Sequence, residues 1–318
     1  MTEGFKSTPA IENVIAELEI QRKKITKSLF QGWTAIIIGI VILFFLFSFG
    51  QGIVALVIGA AVIIPGIVIL YRISDDTKQY KFRFKQEVIG SALASINQSI
   101  IFDHENGVSE SEFINSQLFT TTPDRYHTED LIKGKDEKTS FYFAEVHAEY
   151  KTETQTKSGR QVHWHNILKG IIFSADFNKN FNGVTVVRPK DFGSSIGKWF
   201  SKNIYSFGDK EVVDLESDYF NKNFVTHSTD QVEARYILTP SLMEKIGELN
   251  NRSAYCVSLS FINSSVYIAF PLDNNYFEPP VFKTLLKPDL LDADMNILTF
   301  MFLIIKELDL NTRIWTKQ

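Results

Sequence analysis

Residues 33–71, WTAIIIGIVILFFLFSFGQGIVALVIGAAVIIPGIVILY, contain no Asp, Glu, Lys, Arg or His. A core helix this apolar needs partners on every side, and a core strand is far shorter. Gly50, Gln51 and Gly52 break the run near its middle. The halves, 33–49 and 53–71, each approach the roughly 20 residues that cross a hydrocarbon core. Two antiparallel spans joined by a tight turn are therefore expected. One continuous helix would be nearly twice the required length and would bury the Gly-Gln-Gly break in lipid. A single span preceded by an interfacial helix is the alternative. A cleaved signal peptide does not fit, because a polar, helix-patterned stretch comes first and no clean small-residue cleavage site follows.

The flanks predict the orientation. Arg22, Lys23, Lys24 and Lys27 precede the run, and Arg72, Lys78, Lys81, Arg83 and Lys85 follow it. The turn carries no charge, so both ends are expected on the cytoplasmic side of a cell membrane. Trp33 and Tyr71 stand where an interfacial aromatic belt would lie. Gly39, Gly59, Ala60, Ala61 and Gly66 offer close helix contact, and Pro65 offers a bend in the second span. With no ionisable side chain inside, nothing in the run points to ion coupling or a proton relay.

Helical patterning continues on both sides. Over 9–29, Ile11, Leu18 and Ile25 recur at seven, behind Pro9 at a favourable first position. Over about 76–101, Tyr80, Phe84, Val88, Ala92 and Ile96 recur at four. These stretches predict amphipathic helices that pair as a stalk.

Charge divides the chain. Residues 1–85 hold ten Lys and Arg against six Asp and Glu, whereas 86–318 hold 23 against 31. An acidic distal part lacks the basic footprint of a nucleic-acid binder. The single cysteine, Cys256, excludes an intramolecular disulfide and any multi-cysteine metal centre. Beyond residue 105, Ser109 and Glu112 form a capping box ahead of a short helix over 110–118. Residues 121–138 read as loop. Alternation then predicts antiparallel strands on either side of Ser158-Gly159, a strand over 183–190, and another through Val212, Val213 and Leu215. The stretch 232–237 reads as either strand or helix. Thr239 and Ser241 compete to cap a helix ending near Asn250-Asn251, and a hairpin turns across 262–264. A final apolar helix over 289–310 carries Asp292, Asp294 and Lys306, too close together for a third span.

The expected fold is an N-terminal two-helix transmembrane hairpin flanked by amphipathic helices, then a cytoplasmic α+β domain with a mixed or mostly antiparallel sheet. The divisions fall at 1–32, 33–71, 72–104 and 105–318.

Chemistry is sparse. His163 and His165 share one strand face, half of a metal site at best. A third ligand would come from His104, His127, His147, His227 or a carboxylate, and packing explains the pair equally well. Asp230, Glu233 and Arg235 form a compact charged group, read as an Arg–carboxylate structural pair and as interaction candidates. GSSIGK, residues 193–198, has three residues between its glycines where a phosphate loop needs four, and no Ser or Thr after the lysine. No metalloprotease, serine-hydrolase or dithiol pattern occurs, so no catalytic residue, cofactor or metal is assigned.

The segment FNKNF followed by TDQVEARYILTPSLMEKI, after the strand HWHNILKGIIFSADF, resembles the bacterial family of unknown function numbered 3137. The resemblance spans roughly 10–315, and DQVEARYILTP at 230–240 is its most specific piece. It implies an N-terminal hydrophobic pair ahead of a soluble region, brings no catalytic assignment, and suggests an assembly with LemA-like membrane proteins. Together these readings predict a membrane-tethered interaction or scaffold module, with the bilayer and another membrane protein or a second copy as partners and no nucleic acid. A membrane-bound enzyme with an unfamiliar site and an oligomeric channel or transporter subunit are the alternatives.

Overall fold

A computed structural model describes residues 9–156, 159–177, 179–190, 211–252, 257–272, 275–308 and 310. The chain forms two compact units, Met1–Ile96 with Phe277–Asp294, and Asn97–Tyr276 with Met295–Gln318.

The first unit is built on α1 (Pro9–Ser48) and α2 (Gly52–Arg83), which turn through Gly50 at φ 75°. At 1.5 Å per residue, α1 is about 60 Å long. Both helices are long and apolar enough to cross a membrane. The heptad read from Ile11, Leu18 and Ile25 continues through Gly32 and Gly39, all buried. On α2 the answering series is Gly59, Gly66, Ile73 and Tyr80. A strict seven-residue repeat is the period of a left-handed helix pair. In the apolar stretch the seam is made of glycine because the backbones touch. A Cβ on Gly66 would stand 2.9 Å from the Gly32 carbonyl oxygen, and one on Gly39 would stand 3.1 Å from that of Gly59. Large apolar side chains point away from the seam: Phe44 is 76% exposed and Ile53 81%.

Past Tyr80 the helix changes pitch. Residues Phe84–Ile89 form a π-helical segment before α3 (Gly90–Ile96). The four-residue repeat explains it: at 3.6 residues per turn, apolar positions every four drift around the helix, and a wider turn keeps them on one side. Phe84, Val88 and Ala92 are buried accordingly, while Ile96 is 45% exposed. The helix stops there, short of the expected Ile101. Asn97 turns the chain, its Oδ1 accepting from the Ser99 amide at 2.8 Å.

The second unit is a nine-stranded sheet among the described residues, in the order β1-β2-β3-β4-β9-β8-β5-β7-β6. The strands are β1 (Ile101–Asp103), β2 (Arg125–Asp136), β3 (Thr139–Thr156), β4 (Gly159–Asp176), β5 (Thr185–Pro189), β6 (Glu211–Val213), β7 (Phe224–Ser228), β8 (Ser258–Ile262) and β9 (Ser265–Pro271). Every described pairing is antiparallel. Five helices join them: α4 (Glu110–Asn115), α5 (Asp218–Asn223), α6 (Gln231–Ile237), α7 (Pro240–Arg252) and α8 (Asp292–Glu307), whose first three residues belong to the first unit.

Ser109 caps α4 as its spacing suggests, accepting from the Glu112 amide at 3.2 Å, but Glu112 accepts from the Tyr142 hydroxyl instead of closing the box. Val146, Ala148, Ile172 and Ala269 form a core with Phe113 and Phe119. On the opposite face of β3, Phe141 meets Phe302 of α8 edge-on at 5.4 Å. The strand β2 occupies most of the stretch expected to be loop. Its polar residues hide the pattern: a register shift between Glu129 and Ile132, with Asp130 at φ 58°, breaks the alternation midway. The 232–237 ambiguity resolves as helix α6. The GSSIGK stretch and Cys256 lie outside the described residues.

Candidate functional site

Beyond Phe141 and Phe143, the same face of β3 continues as Glu145, His147 and Glu149, and the sheet register places a polar residue of β2 beside each. Glu145 pairs Glu129, His147 pairs His127, and Glu149 pairs Arg125. The bulge at Asp130 draws a third carboxylate inward. Carboxylate oxygens of Glu129, Asp130 and Glu145 lie within 4.8 Å of one another. Asp130 is 1% exposed, and Glu145 Oε1 accepts from the Tyr276 amide at 2.7 Å. His147 Nε2 is 2.9 Å from Asn166 Oδ1 on β4 and 3.8 Å from Glu149 Oε1. His127 Nε2 stands 3.7 Å from Glu129 Oε1. A cavity of about 70 Å3 opens here, lined in part by both histidines and Lys169. This face could hold a cation on the three carboxylates or exchange protons through the imidazoles. Reading 121–138 as loop hid it. The available signal was the i, i+2 recurrence of His and Glu at 127/129 and again at 145/147.

His163 and His165 lie elsewhere, on the two-stranded part of β3–β4 that β2 and β9 do not reach. His165 stacks on Tyr150 at 5.1 Å, with Nε2 2.8 Å from Thr152 Oγ1, and His163 is exposed. The structure does not bring the other described histidines to them as ligands.

Asp230, Glu233 and Arg235 point in different directions. Asp230 caps α6, its Oδ1 accepting from the Val232 and Glu233 amides at 2.9 and 3.0 Å. Glu233 turns inward, accepting from the Asn182 and Gly183 amides and from Lys179 Nζ. Arg235 lies outward, donating to the carbonyls of Gln231 and Asp214. Asp230→Ala is expected to cost about 1 kcal/mol, the usual loss for a helix cap, read as a lower unfolding midpoint.

The first unit contains a second polar cluster. The Glu19 carboxylate accepts from Arg22 Nε at 2.8 Å and Nη2 at 2.9 Å, from the Leu285 amide at 2.9 Å, and from Thr284. Arg22 also donates to the Val281 carbonyl, and Tyr80 to that of Pro280. Glu278 bridges Lys81 and Lys85 at 2.7 and 2.8 Å. Burial opposes its charge, but the two ammonium groups outweigh it and hold its carboxyl below the usual range. The returning segment 277–294 is thus fastened to α1 and the end of α2.

Asp294 closes that segment. Burial pushes its carboxyl up to about 6, against the Phe277 amide and the Lys85 charge, which favour the anion. Because the folded value lies above the ordinary 3.8, ionisation costs stability as pH rises from about 4 through 6. Asp294→Asn is expected to raise stability by about 1–2 kcal/mol at pH 7–8 and to change little at pH 4. Unfolding midpoints at both pH values test this.

Residues 166–310 match a family described as "Protein of unknown function (DUF3137)", a narrower stretch than the sequence resemblance suggested. The crystal structure of the mycobacterial trehalose monomycolate transport factor A, TtfA, aligns at 8% identity with a TM-score of 0.40, over 74% of this chain and 96% of that one. No curated protein sequence matches the chain.

Proposed function

We propose that this DUF3137-family chain is a membrane-tethered interaction module, with 33–71 crossing the bilayer twice and both flanks and the sheet unit on the cytoplasmic side. The observation that carries this reading is the pair of helices whose apolar side chains face outward while their mutual seam is glycine. Large contiguous apolar surface is the mark of a lipid or protein contact. The basic flanks support the orientation, although Arg22 and Lys85 are buried in ion pairs and leave the exposed Lys23, Lys24, Lys27, Arg72 and Lys78 as topology signals. The mechanism is confinement: the hairpin holds the sheet unit at the inner leaflet and raises its local concentration near membrane partners. Those partners are another membrane protein, LemA-like on the sequence resemblance, or a second copy. Arg235, exposed within the family-specific stretch, is proposed as part of that contact.

The test is gentle extraction from native membranes, particle mass, and identification of every co-purifying chain. Support would be retention in the membrane after alkaline carbonate washing, together with a fixed-stoichiometry complex weakened by Arg235→Ala. Release by carbonate would overturn the tether, and a lone monomer would overturn the interaction role.

A further inference from the structure

A groove of about 410 Å3 lies between α5 and α7, away from the histidine–carboxylate face. Its volume is in the range of small-ligand sites. Pro240, Met243, Glu244, Gly247, Glu248 and Asn251 recur along α7 at three- and four-residue steps, so they share one side of that helix. Gly247 has a specific part. A Cβ there would sit 3.1 Å from Tyr219 Cε1, so its absence lets the phenol ring lie against the helix backbone. Asn251 Nδ2 holds the ring in place by donating to the Tyr219 hydroxyl at 3.2 Å. Tyr219 is nevertheless 53% exposed, its ring forming a wall of the open groove. Met243 is buried beneath.

Among the described residues, the lining pairs this apolar wall and floor with two carboxylates and no positive charge. Glu244 and Glu248 stand one helical turn apart, a separation of roughly 5–6 Å between Cβ atoms. Glu248 also takes part in an interaction within the chain, so Glu244 supplies the principal charge. A hard metal ion would want several converging oxygens. Two separated carboxylates beside an aromatic face instead suit alkylammonium groups, which are drawn both to carboxylates and to π faces.

We propose that the groove binds an aliphatic diamine or polyamine, its methylene chain along Tyr219, Pro240 and Met243 and its ammonium ends at Glu244 and Glu248. This site is independent of the tethering role. The test is calorimetric titration of the full-length protein in detergent at physiological salt with putrescine and with spermidine. Parallel arms use magnesium at equal charge and a tetralysine peptide. Saturable binding of one amine per chain is expected, at least tenfold weaker in Glu244→Gln and in Tyr219→Leu. It should be unchanged in Glu110→Gln, which removes an exposed carboxylate elsewhere. Glu244 is exposed, so Glu244→Gln leaves the fold intact; Tyr219→Leu is read only with its unfolding midpoint matched to that of the parent protein. Absent saturation, equal binding by Glu244→Gln, displacement by magnesium, or tighter binding of tetralysine would each overturn the proposal.

Discussion

Arg22→Ala is expected to destabilise the first unit by about 3 kcal/mol, because it leaves the buried Glu19 carboxylate with only the exposed Lys23 ammonium, 3.8 Å away, as counter-charge. Glu19 is 3% exposed and Arg22 8%. Three of the Arg22 nitrogens are committed, two to Glu19 and one to the Val281 carbonyl, which keeps only the Thr26 hydroxyl as a donor, at 2.9 Å, once Arg22 is removed. The effect should concentrate in 277–294. Hydrogen exchange at the Leu285 amide, which donates to Glu19, is the direct reading. Faster exchange there, with β3 and β4 amides unchanged, is the predicted pattern; uniform acceleration or none would refute it. The double variant Arg22→Met with Glu19→Leu should recover much of the loss, since replacing both partners removes the uncompensated charge. Acid gives a second handle. The hydrogen bonds from Arg22 hold the Glu19 carboxyl down at about 2, below its ordinary 4.5. Its contribution is therefore present above pH 4.5 and is lost as pH falls toward 2. In Arg22→Ala that acid-side loss should be much smaller.

The parts of the fold legible in the sequence were those whose period survived into the structure. The heptad of Ile11, Leu18 and Ile25 and the four-residue repeat from Tyr80 as far as Ala92 each mark a real buried stripe. The alternation in β3, β4, β8 and β9 likewise reflects two-faced burial in an antiparallel sheet. What could not be read was any feature set by distant pairing. The strand β2 carries Arg125, His127, Glu129, Lys133 and Lys135 on exposed or half-exposed positions, and its bulge shifts the phase. Its strand character comes from neighbours on both sides, not from its own composition.

The candidate sites divide in the same way. Spacing alone grouped Asp230, Glu233 and Arg235, yet Asp230 stands ahead of the first turn as the cap, and Glu233 and Arg235, two residues apart, fall on opposite sides of α6. The first becomes an exposed cap, the second a buried anchor for the 182–183 amides, and the third an outward side chain. The Glu19–Arg22 pair is a local i, i+3 contact that looks like an ordinary solvated ion pair in sequence. Its burial depends on a segment more than 250 residues away, which nothing local announces.

The glycine seam supports the last expectation. Gly66→Leu should weaken packing of the helical hairpin by about 2–3 kcal/mol, the scale of overpacking a tight interface. The obstacle is backbone: a Cβ on Gly66 meets the Gly32 carbonyl at 2.9 Å and the Ala35 Cβ at 3.2 Å, and neither can rotate away. Relief therefore requires the helices to separate. Because the same seam continues into Ile25, Ile73 and Leu18, the strain should spread along the pair and loosen the exposed ion pairs Lys24–Asp76 and Arg83–Glu17. Gly52→Leu is the matched control, since only Phe47 Cε2 lies near its added Cβ, at 3.8 Å. Cysteine crosslinking between positions 24 and 76, after removal of Cys256, reports the separation directly. Crosslinking should fall sharply in Gly66→Leu and persist in Gly52→Leu. Equal crosslinking in both would mean that the glycines are incidental, and that side-chain packing outside the apolar stretch holds the two helices together.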